Sequence, residues 1–374
     1  MKLLSRLLVV LTAAGLVVSA TAGPVIKKST TGKPKITSID VISFAADGVL
    51  LIGNGRSQQI VAVETGDTKR AQGEWRELKG FAGKLGARLG SSAKGVEVID
   101  MAVNPSSGVL YVAARKQDDK SYLITTVQPN GTIGHFSLDQ VKHAVVSLPT
   151  GEKAPVSKIT DLAWAGDRLV AAARCNEAFA SKIFSTSGAL EHGKAGQLFS
   201  AETYHISHRR WETKAPMSVL IPFEEDGQQY IVGAFSCTPV VKYPIDDLQP
   251  GAKIKGISMI ELGSGNRPLD MFAYSKGGKA SVLANTFRFH HSRKPFGPSP
   301  YWATRFDQDL LAGDQKINKD AVRRLGGGYK PITDRIEMVE AYHGVVQMDR
   351  LNHSTAIALR KAGDEFDLVP LPLP

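Results

Sequence analysis

Across 374 residues there are only two cysteines, Cys175 and Cys237, and neither sits in a C-x-x-C pair or a papain-like context. That scarcity argues against a thiolate metal site or a cysteine nucleophile. Aromatic residues make up 7% of the chain, too few to suggest the exposed Trp and Tyr of an extended sugar-binding cleft. There is no G-x-S-x-G elbow, H-E-x-x-H, P-loop, C-x-x-C-H or EF-hand loop. Each would have named a chemistry, so the sequence names no reaction. Beyond the N-terminus no apolar run approaches the length that spans a bilayer, and the mature chain is expected to have no transmembrane segment.

The N-terminus itself reads as a leader. Lys2 and Arg6 precede an apolar run from Leu7 to Val18, and Ala20-Thr21-Ala22 supplies an A-x-A exit. Residues 1–22 are therefore expected to be a signal peptide, followed by an N-terminal extension over 23–35 and one domain over 36–374. The mature protein is placed in the periplasm or outside the cell. Loss of Lys2 and Arg6 lowers the net charge from +10 to +8. That surplus favours an anionic partner. The basic residues are scattered and no nucleic-acid motif accompanies them, so nucleic acid is not expected. In an oxidising compartment, Cys175 and Cys237 are read as a disulfide.

An internal repeat is the main positive signal. The phrases "IDVISFAADGVLLIGNG", "IDMAVNPSSGVLYVAAR", "TDLAWAGDRLVAAARCN", "MSVLIPFEEDGQQYIVGAFSC", "LDMFAYSKGGKASVLANT" and "IEMVEAYHGVVQMDRLN" each read as strand, turn, strand. Asp47-Gly48, Asp226-Gly227 and Gly277-Gly278 are dipeptides that suit tight hairpins. A polar residue opens each first strand: Asp40, Asp100, Asp161, Ser218, Asp270 and Glu337. Most hairpins are followed by a third apolar strand, and the repeat returns about every sixty residues. We read an all-β, six-bladed β-propeller with two short helical or loop insertions. One insertion, "EWRELKGFAGKLGARLG", puts Trp75, Leu78, Phe81 or Ala82, Leu85 and Leu89 on one helical face, suited to packing on the propeller side. The other, "INKDAVRRLGGG", offers Asn318 as a helix N-cap.

The repeat resembles NHL- and YVTN-type propellers, whose blades read roughly I-A-V-x-P-x-G-x-L-Y-V. More narrowly, "NEAFAS", "YHISHRRWET", "CTPVVKYP", "NRPLDMF" and "GVVQMDRL" resemble an uncharacterised group of secreted bacterial propeller proteins. The resemblance runs from about Ile36 to the C-terminus. It implies the fold and an extracytoplasmic location, and it transfers no catalytic role.

In a propeller the first strand of each blade lines the central channel. Asp40, Asp100, Asp161 and Asp270 then either bind a hard cation through oxygen or accept hydrogen bonds from the backbone of the next blade. Repetition favours the structural role. Arg174 and Arg350, aligned in second strands, and Arg267, just before Asp270, are candidate anion ligands together with Glu177, Arg210 and Asp270. His205 and His208 in "YHISHRRWET" form a candidate metal pair, expected to enter the axial face, provided the segment is helical or irregular. His343 is placed in a hairpin turn on the opposite face. The loop "FRFHHSRKPFGPSPYW" joins the second and third strands of the fifth repeat and would form a rim over the axial face.

These features point to a secreted or periplasmic propeller binding a metal ion or a small anionic ligand at its axial face. The metal would be a divalent ion, Zn, Cu or Ca. A metal-dependent enzyme of the lactonase, hydrolase, lyase or oxidoreductase sort is the alternative reading. A scaffold for another extracytoplasmic protein is the third.

Overall fold

The computed structural model describes residues 23–149, 155–236, 239–249, 252–263, 265–293, 297–313, 321–323 and 333–374. The leader lies outside them, as does Cys237, and with it the expected disulfide; Cys175 is buried. Most of the second expected helix also lies outside. Its described residues Val322–Arg323 are a strand instead, parallel to Ile260 and Glu261.

Six antiparallel blades surround a central channel, as the repeat predicts. We letter them A to F in chain order. The inner strands are Val41–Phe44 (A), Val96–Val103 (B), Val156–Ala165 (C), Met217–Glu225 (D), Asn266–Lys276 (E) and Val345–Arg350 (F). Each pairs outward with its successor strand in the blade. The hairpin dipeptides behave as their chemistry demands. Asp226 and Gly227 have φ of 50° and 78°, and Gly277 and Gly278 have 58° and 79°, so both links turn in two left-handed residues.

The blades do not follow one another around the ring in chain order. The inner strand of A packs between those of B and C, and B packs between A and F. The order around the channel is A, C, D, E, F, B. The six hydrophobic clusters obey it, one at each of the A–C, C–D, D–E, E–F, F–B and B–A boundaries. Every middle strand must therefore be apolar on both faces. Val49–Asn54 is the clearest case: Leu51 faces blade C, Leu50 and Ile52 face blade B, and all six residues are buried.

Exchanging A and B forces the chain to cross back. The fourth strand of A is Val141–Ser147, made after all of blade B, and it pairs with Gln59–Glu64. On its outer edge lies Thr30–Gly32 from the N-terminal segment. The neighbouring Ile26–Lys28 runs parallel to Leu190 and Glu191 of blade C. Residues 26–32 thus strap A to C.

Blade F has three strands, Val345–Arg350, Thr355–Ala362 and Glu365–Pro372. Its open edge is covered by the insertion between A and B. Leu78 exchanges both backbone hydrogen bonds with Leu368, at 2.8 and 3.1 Å, and Gly80 N–H donates to the Asp367 carboxylate. The helix that follows, Phe81–Arg88, buries Phe81 and Leu85 in the F–B cluster, with Trp75, Leu78 and Leu89 packed beside them. The expected apolar face is thus correct, although the helix begins only at Phe81.

The sixth phrase needs a correction of one strand. "IEMVEAY" supplies Ile336–Met338, the outer strand of blade E, and "VVQMDR" is the inner strand of F. Glu337 is therefore peripheral, and Asp349 takes the channel position. Arg350 ends an inner strand and is not the counterpart of Arg174. His343 precedes that inner strand and packs by Gly297 of the "FRFHHSRKPFGPSPYW" loop, so it shares that loop's face.

Phe81 is fully buried where the insertion closes blade F. Phe81→Ala is expected to destabilise the protein by about 3–5 kcal/mol, read as a lower midpoint in urea at unchanged slope.

Candidate metal centre and axial channel

The channel carboxylates act as clamps between blades. Asp40 accepts from Ile159 N–H of blade C at 3.0 Å, and Asp161 from Leu220 N–H of D at 2.7 Å. Asp270 accepts from Met348 N–H of F at 2.9 Å, Asp349 from Val103 N–H of B and Asp100 from Ile42 N–H of A, both at 2.7 Å. Gly55 leaves room for the first of these, because a Cβ there would meet Asp40 Oδ2 at 2.0 Å. The structural role read from repetition is the observed one. At the D–E boundary no carboxylate among the described residues reaches across from the inner strand. There the β-bulge falls on Ser218, and Val219 follows it in the ladder.

Enclosure in the channel raises all five carboxyls from the ordinary aspartate range. Asp100 is pushed up to about 7 and Asp161 to about 8, first by removal from bulk water and then by neighbouring carboxylates. Asp349 rises to about 6, opposed by backbone donors and the Arg350 charge. Asp270 is raised well above its usual value, through enclosure and then Asp100, and Asp40 is raised with Lys158 opposing.

The five clamps line a cavity of about 1160 Å³, joined by Lys158, Arg174 and Arg267 at one end and Arg350 further along. Arg350 Nη1 donates to Ala273 O at 3.2 Å. Of the other expected ligands, Glu177 is an exposed partner of Lys182 at 2.6 Å, and Arg210 lies exposed on a blade C edge strand. Neither lines the cavity. Arg115 and Arg288 also end second strands, and each lies over an aromatic ring, Tyr122 and Trp302. The "FRFHHSRKPFGPSPYW" loop does join the second and third strands of blade E. Its His290 packs over Gly265.

The histidine pair corrects the axial expectation. His205 ends Gln197–His205, the fourth strand of blade C, so the pair sits at the rim of the propeller. Ile206–His208 is a single 3-10 turn, Arg209 takes a left-handed φ of 52°, and Arg210–Glu212 returns antiparallel. Thr203 pairs with Glu212, and residues two apart on a strand share a face, so His205 lies diagonal to Glu212. The turn brings His208 back over His205, with ring centroids 4.0 Å apart. Irregular backbone is what the i, i+3 spacing needed. One ligand atom from each of His205, His208 and Glu212 fits within a mutual 4.8 Å.

Blade D completes the cluster. Lys253–Lys255 runs parallel to the blade C strand and leads into Ile257–Glu261, whose Glu261 Oε2 lies 3.3 Å from His205 Nε2. His205 Nδ1 faces Glu212 Oε2 at 4.0 Å, and Glu212 Oε1 accepts from Lys214 and Ala215 N–H. His205 and Glu261 are each 2% exposed, whereas His208 is open to solvent. Burial and the adjoining His205 and Arg210 lower the His208 pKa, which favours the neutral imidazole. Glu261 was missed in the sequence. Its signal was a lone carboxylate closing the apolar strand "ISMIE".

No protein-family model matches the chain, nor does any curated protein. Among solved structures, the major Malassezia sympodialis allergen Mala s 1 aligns at 9% identity over 92% of this chain and 96% of its own, with a TM-score of 0.38. A putative oxidoreductase (glucose dehydrogenase) from Thermus thermophilus aligns at 10% identity over 92% and 100%, with a TM-score of 0.35. Chaetomium thermophilum Raptor aligns at 10% over 93% and 29%, at 0.36. Likeness this distant carries no functional argument.

The clamps imply a pH dependence. A carboxyl whose folded pKa lies above its unfolded value stabilises fully below the unfolded value near 4, and that contribution is lost as pH rises through the folded one. Thermal stability should therefore fall between about pH 5 and about pH 9. Asp161→Asn keeps an acceptor for Leu220 N–H, so its melting temperature should fall less steeply and exceed the parent's at the alkaline end.

Proposed function

We propose that this protein is a secreted or periplasmic metal-binding propeller. Its metal centre is formed by His205 and His208 with Glu212. One observation carries the reading: four metal-competent side chains from two blades converge, with His205 held between two carboxylates. The donor set suits a borderline divalent ion such as Zn²⁺ better than Ca²⁺, which prefers oxygen alone. Glu261 fits the outer role of accepting the Nε2 proton of His205, leaving Nδ1 to coordinate. Zinc bonds of about 2.0–2.2 Å bring ligand atoms to about 3.3–3.5 Å from one another, a small closure for an exposed His208 side chain.

The same arrangement favours an enzyme as second reading. Three protein ligands with a solvent-open side match catalytic rather than closed structural zinc sites. Bound water on that side would be acidified toward a hydroxide nucleophile.

Elemental analysis of the purified mature protein should return close to one equivalent of a transition metal. His205→Ala with His208→Ala should fold and return none. Glu261→Gln should weaken affinity by about 10–100-fold. A metal-free protein that Zn²⁺ and Cu²⁺ fail to load would sink the reading.

A further inference from the structure

The channel end where the carboxylate series is broken has a chemistry of its own. Blades C, D and E are consecutive around the ring, and each brings polar groups to that end of the cavity. Blade C contributes Arg174, at the end of its second strand, and Lys158 near the start of its first. Blade E contributes Arg267, second residue of its inner strand. Between them, blade D presents Ser218 and Ser236, whose hydroxyl oxygens are 2.7 Å apart. All five line the cavity. Both serines are half-buried and reachable from it, and the three cations are exposed.

Charge is the informative part. Among the described residues, none of Lys158, Arg174 or Arg267 has an ion-pair partner, although five carboxylates line the same channel. The carboxylates are turned to backbone N–H groups of neighbouring blades, and the inner strand of blade D, which lies between the blades that bring the two arginines, offers none there. Arg267 is braced by Phe287 and Phe289, its guanidinium carbon 5.8 and 5.6 Å from the ring centroids. Phe289 remains 49% exposed, the only large hydrophobic side chain so exposed among the described residues. Two guanidinium groups, an ammonium and a hydroxyl pair form a donor set for an oxyanion. Below them, the ring acids offer acceptors for hydroxyl or amino groups.

We propose that the mouth of the channel in front of blade D is a second binding site, separate from the rim metal centre. It takes the oxyanion head of a small polar molecule, a carboxylate, phosphate or sulfate, on Arg174, Arg267, Ser218 and Ser236. The body of the ligand extends down the channel past the aspartates. The broken carboxylate series is what makes the sector hospitable, because an aspartate facing the two arginines would satisfy them internally.

The test uses the mature protein stripped of metal by chelation and dialysis, so that its outcome is independent of the metal centre. Inorganic phosphate, inorganic sulfate and citrate are titrated separately by calorimetry, which identifies the preferred head group. At least one should bind at millimolar concentration or tighter. Arg267→Ala and Arg174→Ala should each weaken it by at least about tenfold. Ser218→Asp, which sets a carboxylate at a half-buried position of blade D, between the blades that carry Arg174 and Arg267, should abolish binding with the melting temperature retained. Should that variant fail to fold, the double variant Ser218→Ala, Ser236→Ala adds no charge and should weaken binding severalfold. Arg350→Ala, further along the channel, should leave it unchanged. Absence of binding by all three probes, or binding indifferent to Arg174, Arg267 and Ser218, overturns the proposal.

Discussion

The propeller is organised by one recurring interaction, the hydrogen bond from a backbone N–H of one blade to an inner-strand aspartate of its neighbour. Five of the six boundaries have it. An apolar boundary alone would let adjacent blades slide, since packing is tolerant of small shifts. A directional bond to a carboxyl oxygen, drawn from water into a narrow channel, fixes the height of each blade against the next. The cost is electrostatic, because the same geometry gathers five acids around one axis. The raised pKa values express that cost, and neutral protonated carboxyls relieve it without losing the acceptor oxygen.

That constraint also explains which parts of the fold were legible in the sequence. The clamp places an acid at one position in five of the six repeats, and the turn chemistry needs Gly or Asp at the hairpins, so repeat and fold class could be read directly. The ring order could not. An aspartate announces that it will meet an N–H, and nothing in its own neighbourhood says whether that N–H belongs to the next blade in the chain. The sixth repeat misled for a local reason. "YHGVVQ" imitates a hairpin turn between two apolar runs, and only the pairing of Ile336–Met338 with Tyr301–Asp307 shows that the first run belongs to blade E.

The histidine cluster was half legible. Its two histidines and the nearby Glu212 stand together in "YHISHRRWET", and an i, i+3 pair converges only on a helical or irregular turn. Its location was not legible, because the segment looks like a loop leading to an inner strand. In the structure it extends the fourth strand of blade C and doubles back on it. Glu261 arrives from blade D, through the parallel run of Lys253–Lys255 beside Gln197–His205. Tertiary pairing between outer edges therefore assembles what no single stretch of chain could. The rim cluster and the channel mouth consequently use different residues and different chemistry, nitrogen and carboxylate donors at one and cationic donors at the other.

The exchange of blades A and B sets an order of events during synthesis. As the chain emerges, blade A can form its first three strands by residue 64, yet its outer strand arrives only with Val141–Ser147, after blade B is complete. In the interval the edge of Gln59–Glu64 is an unpaired apolar strand, the kind of edge that recruits foreign strands. The N-terminal strap cannot cover it, since Thr30–Gly32 pairs with Val141–Ser147 and not with Gln59–Glu64. Closure thus couples three distant segments in one step. Long loops must be drawn in before their contacts reward them, which is the topological feature that slows folding and leaves strand edges open meanwhile.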